Sequence, residues 1–230
     1  MNQGAQVLTP AGGGALAAQR NRVLRNTYWL LALSMVPTVL GAWIGVQTGI
    51  SQAMSPGIGL VVFLAGAFGF MFAIEKTKNS SAGVPVLLGF TFFMGLMLAR
   101  LLGVVLGLSN GTGLVMTAFA GTGVIFFGMA TMSTVVKRDL TQMGKFLFIG
   151  MIMLLVAMIA NFFIQSGPLM ITLSVLAIGI FSLFILHDLK RVQDGVETNY
   201  ITATLGVYLS LYNVFSNLLA LLGIFGGERD

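Results

Sequence analysis

The sequence contains no cysteine and only 8% charged residues, and each shortage excludes a class of protein. Without cysteine there is no disulfide framework, no thiolate metal site and no cysteine nucleophile. At 57% hydrophobic residues and a mean hydropathy of +0.95, a chain of 230 residues cannot hide its apolar surface in a soluble fold. A bilayer accommodates such a surface, since each helical crossing needs about 20 apolar residues.

Seven long apolar stretches predict an all-α integral membrane protein with seven transmembrane helices. The stretches are nearly continuous, whereas a membrane β-strand needs only about 10 residues of alternating character. The predicted spans are Thr27–Thr48, Gly57–Ile74, Val84–Gly107, Gly113–Val136, Phe146–Gln165, Leu169–Asp188 and Ile201–Phe225. The short connections leave no room for a soluble domain.

Charged and uncharged connections alternate along the chain, and this alternation predicts the topology. The charged segments carry Arg20, Arg22 and Arg25; Glu75, Lys76 and Lys78; Lys137, Arg138, Asp139 and Lys145; and Lys190, Arg191, Asp194 and Glu197. The positive-inside rule places all of them in the cytoplasm. We therefore expect a flexible cytoplasmic tail at 1–26, a transmembrane domain at 27–225 and a short periplasmic tail at 226–230. No basic patch is interleaved with aromatics, so nucleic acid is not an expected partner.

The seventh span is unusually polar for a helix in a bilayer. Gly206, Ser210, Asn213 and Asn217 are spaced four, three and four residues apart, which places them on one helical face. We expect this helix to lie inside the bundle, surrounded by the other six. Two interpretations of the polar face stay open: hydrogen bonds across helices, or the lining of a polar cavity.

Asp188 ends the sixth span beside His187, the only histidine of the chain. A carboxylate near hydrocarbon is expected to face the bundle interior or a wet vestibule. It is either an ordinary helix-end charge or part of a cation- or proton-sensitive gate, and His187 is either solvated or titrates beside it. Glu75 and Lys76 are the expected partners of Asp188. Arg100, late in the third span, is expected to snorkel to the outer headgroups.

Small residues recur at intervals of four, a pattern typical of close helix packing in lipid. The repeats are Gly41, Gly45 and Gly49 in the first span, and Gly103 and Gly107 in the third. We expect helix–helix contacts within the chain, with homodimerisation as the alternative. An intramembrane enzyme is not indicated, because paired aspartates, a Ser/His dyad with an orienting group and a His/Glu metal cluster are all missing.

Three segments carry a resemblance to a known family: Leu24–Tyr28, Glu197–Ile201 and Tyr208–Phe215. With them the chain resembles the Bax inhibitor-1 family, and within it the bacterial YccA-like branch, from Leu24 onward. The resemblance implies six helices around a central seventh, which agrees with the interior position expected from the polar face.

In other bacterial members of the family, the resemblance implies a calcium leak gated by two carboxylates that form a pH-sensitive latch. Asp188 matches the first carboxylate, but Ser210 stands where the second is often Asp. Two close carboxylates share a proton or chelate a hard cation, and one carboxylate with one hydroxyl does so poorly. Asp188, Ser210, Asn213 and His187 are thus the gate candidates. In this interpretation calcium is the only candidate metal, with Asp188 as its ligand.

The YccA-like branch implies a different role, which is the function we expect. The chain is then a non-enzymatic protein of the bacterial inner membrane, without a cofactor, that modulates the membrane-anchored AAA+ protease of the FtsH type and is its substrate. That protease grips an N-terminal cytoplasmic tail, and the polar segment before the first span suits such a handle. The pH-sensitive cation leak is the alternative.

The topology is directly testable. A reporter fused after Asp230 is expected to be periplasmic, and one fused before Asn2 cytoplasmic, because seven spans separate the two ends. Activity of an alkaline phosphatase or fluorescent protein fusion measures each location. A cytoplasmic C-terminus would contradict the count of seven spans.

Overall fold

The computed structural model of the protein describes residues 12–138 and 140–227, and within these ranges every regular element is a helix. The helices are α1 (Gly12–Thr48), α2 (Ile50–Ala53), α3 (Pro56–Thr77), α4 (Gly83–Leu106), α5 (Gly111–Val135), α6 (Thr141–Ile164), α7 (Gly167–Gln193) and α8 (Tyr200–Phe225). All except the single-turn α2 are long and apolar enough to cross a membrane. The predicted all-α fold and its seven spans are confirmed.

The first helix begins well before its predicted start. Residues 12–26, assigned from the sequence to the flexible tail, form the first part of α1, so the predicted boundary at Thr27 is not the start of the helix. After the glycines at its start, the sequence there contains Ala, Leu, Gln and Arg, which all favour helix. Val23 is also buried against Val192 of α7 and Ala203 of α8. Residues 1–11 and 228–230 of the two predicted tails lie outside the described residues.

The last helix lies among the others, as its polar face predicted. Helix α8 packs against α1, α4, α5 and α7, and more lightly against α3, whereas α6 packs against α7. A complete ring of six around α8 is therefore not confirmed. Helix α4 is at least as deeply placed as α8, since a slightly larger share of its membrane-spanning residues is buried.

Helices α1 and α4 approach each other through glycine. A methyl group on Gly95 of α4 would overlap the Thr38 carbonyl oxygen, and one on Gly41 of α1 would overlap the Phe92 carbonyl oxygen. On the next turn, Gly45 faces Ala99. Since lipid tails are as apolar as leucine, such close contact is what holds two helices together in a bilayer. The expected helix–helix contact is confirmed for Gly41 and Gly45.

The remaining glycines of the two repeats serve other purposes. Gly49 has a φ of 65°, in the left-handed region, and lies between α1 and α2. Gly103 lies against the side-chain amide of Gln52 from α2, and Gly107 caps the C-terminus of α4. The same four-residue spacing thus includes glycines that allow helices to pack closely and glycines that lie where a helix ends.

The α1–α4 interface predicts a position-specific loss of stability. Gly95→Val is expected to lower the free energy of unfolding by at least about 1–3 kcal/mol, because the added carbons meet backbone atoms that cannot move aside. Gly128→Val on α5 is the matched control, since no atom lies within 4 Å of the place that its Cβ would take. Thermal unfolding of the purified protein in detergent measures both. Equal loss in the two variants would contradict the interface.

Candidate functional site

The Asp188 carboxylate lies in the interface between α7 and α8. Its Oδ1 atom is 3.2 Å from Nδ1 of His187, and its Oδ2 atom is 2.7 Å from where a Cβ on Gly206 would be. The side chains of Asp188 and His187 are only 17% and 10% exposed. Glycine at position 206 therefore leaves room for a carboxylate directly against the α8 backbone.

His187 is buried between two helices. A Cβ on Gly144 of α6 would overlap its Nε2 atom, so the imidazole edge rests on the α6 backbone. The Phe184 ring meets it edge-on, at 6.5 Å between centroids and 87° between planes. The solvated interpretation of His187 is therefore wrong. The ring joins Asp188 to the start of α6, and one turn of α7 thereby contacts both α6 and α8.

The expected partners of Asp188 on α3 do not reach it. The Glu75 carboxylate accepts from Lys78 at 2.5 Å, and the Lys76 ammonium lies 5.4 Å from the centroid of the Phe72 ring. Both contacts are made within α3 or directly after it, where residues three or four apart are neighbours. Helix α3 packs mainly against α4, whereas Asp188 lies between α7 and α8, and this separation is why the predicted pairing is wrong.

A cavity of about 200 Å³ lies beside Asp188 at the end of the bundle that carries the charged connections. It is lined by Asp188, Arg191, Glu197, Thr202, Ala203, Leu205, Gly206 and Leu209. Arg191 and Glu197 form a loose ion pair at 3.8 Å, and the Thr202 hydroxyl has no hydrogen-bond partner among the described residues. The cavity thus offers one carboxylate, one free hydroxyl and an ion pair to a small polar guest.

The other gate candidates lie deeper in the bundle. Ser210 is buried one turn beyond Gly206, and the cavity lining reaches only to Leu209. The Asn213 amide donates to the Leu209 carbonyl oxygen at 2.8 Å, and the Asn217 amide donates to the Asn213 carbonyl oxygen at 2.8 Å. These two amides therefore bond their own helix rather than a neighbouring one. The structure brings Asp188 and His187 together, and neither Ser210 nor Asn213 lines the cavity beside Asp188.

A polar contact across three helices was not singled out from the sequence. The Tyr208 hydroxyl lies 2.8 Å from Thr38 Oγ1 of α1 and donates to the Thr91 carbonyl oxygen of α4 at 3.3 Å. Its ring packs edge-on against Phe90. A tyrosine within an apolar span was the available signal, because a buried hydroxyl requires a partner. Tyr208 thus fixes α8 against α1 and α4.

Asn199 holds two connections of the charged end together. Its Oδ1 atom accepts from the backbone N–H groups of Ile201 and Thr202, which caps α8. Its Nδ2 atom donates to the Lys78 carbonyl oxygen at 3.1 Å and to Asn79 Oδ1 at 2.8 Å. Asparagine directly before an apolar run is an N-cap signal in the sequence, but the contact with the α3–α4 connection is tertiary.

Arg100 lies near the opposite end of the bundle. Its guanidinium donates to the Met54 carbonyl oxygen at 3.3 Å, beyond the last residue of α2. The side chain therefore fastens the connection between α1 and α3 onto α4. The expected snorkelling to lipid headgroups is a matter of membrane position, and it stays a prediction.

Within residues 12–138 and 140–227 there is no group of three or more His, Cys, Asp or Glu residues that could hold a metal ion. Calcium at Asp188 would have a single carboxylate in the cavity wall apart from Glu197, which is engaged with Arg191. Since calcium takes six to eight oxygen ligands, these residues fit it poorly.

Comparisons with known proteins agree with one another. The family described as "Inhibitor of apoptosis-promoting Bax1" matches residues 20–227. A protein of Escherichia coli (strain K12) named "Modulator of FtsH protease YccA" is 36% identical, over 91% of this chain and 92% of its own. A Vibrio cholerae relative named "Uncharacterized membrane protein" is also 36% identical, with the same coverage of both chains. The E. coli O6:H1 relative, named "Inner membrane protein YccA", matches equally well.

The contact between Asp188 and Gly206 generates a prediction. Gly206→Val is expected to destabilise the protein by about 1–3 kcal/mol, because the new side chain and the carboxylate cannot share one space. In an Asp188→Ala background, the same substitution is expected to cost less. Thermal unfolding of the four combinations gives the interaction energy. Gly179→Val on α7 is the control, since nothing lies within 4 Å of its Cβ position. Strictly additive costs would argue against the contact.

Proposed function

The chain belongs to the Bax inhibitor-1 family, and we propose that it is a regulatory protein of the bacterial inner membrane that modulates a membrane-anchored AAA+ protease of the FtsH type and is degraded by it. The observation that carries this proposal is the E. coli relative named as a modulator of FtsH protease, which aligns with 91% of the chain. In this role the protein acts by binding, not by catalysis.

The length of α1 supports a handle on the cytoplasmic side. Trp29 is 71% exposed and lies at the start of the predicted first span, as expected for a tryptophan at the cytoplasmic interface of a bilayer. The helix continues from Trp29 back to Gly12 for about 25 Å more. The N-terminal end of α1 at Gly12 therefore lies well away from the hydrocarbon, on the side where a cytoplasmic ATPase would engage the chain.

The charged end offers the protease a fixed surface beside that handle. Asn199 joins the α3–α4 and α7–α8 connections, and the Gln193 amide donates to Ser133 Oγ at the end of α5, at 2.7 Å. Val23 anchors the protruding part of α1 to the same region. A partner at this end meets a rigid face rather than independent loops.

The cation-leak alternative has no specific observation in its favour. Ser210 replaces the second carboxylate of the implied latch, and it does not line the cavity that contains Asp188. Calcium flux through purified protein in liposomes, compared with Asp188→Asn, tests this alternative. An Asp188-dependent flux would favour the leak over the regulatory role.

The handle is testable by truncation. Removing residues 2–11 is expected to slow degradation several-fold in cells that contain the protease, because the segment presented by α1 is lost while the helix itself is kept. Pulse-chase turnover measures the effect, and thermal unfolding in detergent verifies that the bundle is intact. Removing residues 228–230, at the opposite predicted side, is the control.

The same truncation also tests the partner. Full-length protein is expected to co-purify with the protease and, when overproduced, to slow degradation of a second substrate. The truncated protein is expected not to co-purify with the protease. If full-length and truncated chains are cleared equally fast in protease-positive cells, residues 2–11 are not the handle.

A further inference from the structure

A second cleft, of about 400 Å³, lies at the charged end between the start of α1 and the α7–α8 connection. It is lined by Leu16, Ala17, Gln19, Arg20 and Val23 on one side, and by Asp194, Gly195, Glu197 and Thr198 on the other. The α1 wall is mostly apolar, and the opposite wall is polar backbone and side chain. It is distinct from the Asp188 cavity and shares only Glu197 with it.

Both walls of this N-terminal cleft are held in place. The backbone N–H groups of Val196 and Glu197 both donate to the Arg191 carbonyl oxygen, at 2.9 and 3.1 Å, which closes the α7–α8 connection into a tight turn. Gly195 has a φ of 75° there, and the Arg20 stem lies 3.6 Å from its Cβ position. The cleft therefore exists before anything enters it.

The two carboxylates that line the cleft are already paired with basic side chains. Lys190 pairs with Asp194 across one helical turn, and Arg191 pairs with Glu197. A basic guest would have to break these pairs, whereas an uncharged guest would not. The cleft therefore suits a segment with apolar and amide side chains.

Leu16 exposes apolar surface at the cleft, and burial of that surface by another segment would be favourable. Its side chain is 68% exposed, and it lies thirteen residues before Trp29, or about 20 Å further along the helix. The headgroup layer adds only about 5–8 Å on each side of the hydrocarbon. In the predicted topology Leu16 therefore faces water rather than lipid, unlike the exposed apolar residues of the spans.

We propose that this cleft is the docking site of the chain's own residues 1–11. The segment joins α1 at Gly12, one turn before Leu16, and the cleft ends near Val23, about 16 Å along the helix. Eleven extended residues span up to about 36 Å, which is ample. Pro10 disfavours a helical backbone at Thr9, so the sequence favours a departure from the α1 axis at that point.

The composition of the segment matches the cleft. Residues 1–11 carry no charged side chain, and Val7 and Leu8 are the apolar pair available to cover Leu16. The polar amides of Asn2, Gln3 and Gln6 suit the opposite wall. Because the segment is tethered, its effective concentration at the cleft is in the millimolar range, which favours it over a second copy or a free peptide.

Docking would regulate the handle, and this consequence rests on the proposed function. A protease engages an accessible segment, so residues 1–11 are protected while they lie in the cleft and are exposed when they leave it. Degradation then depends on the equilibrium between the docked and released segment. Anything that competes for the cleft would hasten turnover.

The absence of cysteine allows a direct test by disulfide trapping. The paired substitution Leu8→Cys with Thr198→Cys, in the full chain in membranes, is expected to form an intramolecular disulfide on mild oxidation. Non-reducing gel mobility and mass spectrometry of the linked peptides detect it. Leu8→Cys with Lys145→Cys, at the start of α6, is the matched control and is expected to give at least several-fold less product.

A variant of the cleft itself provides the second measurement. Leu16→Asp places a charge on the exposed apolar wall without disturbing a buried residue. It is expected to reduce the Leu8–Thr198 cross-link several-fold and to accelerate turnover of the otherwise native chain. Thermal unfolding verifies that the bundle is unchanged.

The outcomes separate docking from the proposed function. Equal cross-linking of the two cysteine pairs, or a product that links two different chains, overturns docking by the chain's own segment. A trapped intramolecular pair that Leu16→Asp abolishes supports docking even if removal of residues 2–11 leaves turnover unchanged. In that last case the handle fails while the docking site stands, because cross-linking requires no protease.

Discussion

The lack of water in a bilayer is the constraint on which the rest of this structure depends. Backbone groups in hydrocarbon must find their partners within the protein, and the described spans do so as helices. Polar side chains in the spans likewise need hydrogen-bond partners within the protein. Ser34 donates to the Leu30 carbonyl oxygen and Thr122 to that of Ala118, one turn back in each case. Asn213 and Asn217 follow this local rule, which is why a polar stripe does not by itself line a pore.

Close contact between helices stabilises the bundle in lipid, where the hydrophobic effect does not drive helices together. The α1–α4 contact depends on Gly41 and Gly95, each of which faces a backbone carbonyl of the other helix. The α7–α8 contact uses the same device in a different way, because Gly206 leaves room for the Asp188 carboxylate. Asp188, a gate candidate by its chemistry, thus also takes part in the packing of α7 against α8.

The features that distinguish this protein from a generic helix bundle lie mainly at its charged end. Asn199 links two connections there, His187 joins Asp188 to α6, and the protruding part of α1 rests on the α7–α8 connection. The relatives named for YccA share about a third of their residues with this chain over nearly its whole length. The proposed regulatory role uses this end, where Asn199 joins two connections beside the start of α1.

The sequence by itself determined the seven spans and the all-α fold. Hydropathy over about 20 residues is a local property, and it is sufficient for a segment to cross the bilayer as a helix. The family resemblance was likewise available from three short segments, and the match over residues 20–227 confirms it. Only the tertiary structure decided where α1 begins, since the anchoring of Val23 depends on residues far along the chain. It also decided the partners of Asp188, because whether Glu75 or Gly206 lies beside that carboxylate depends on which helices pack together. Such choices rest on contacts between distant residues, and no local pattern of hydropathy or charge encodes them.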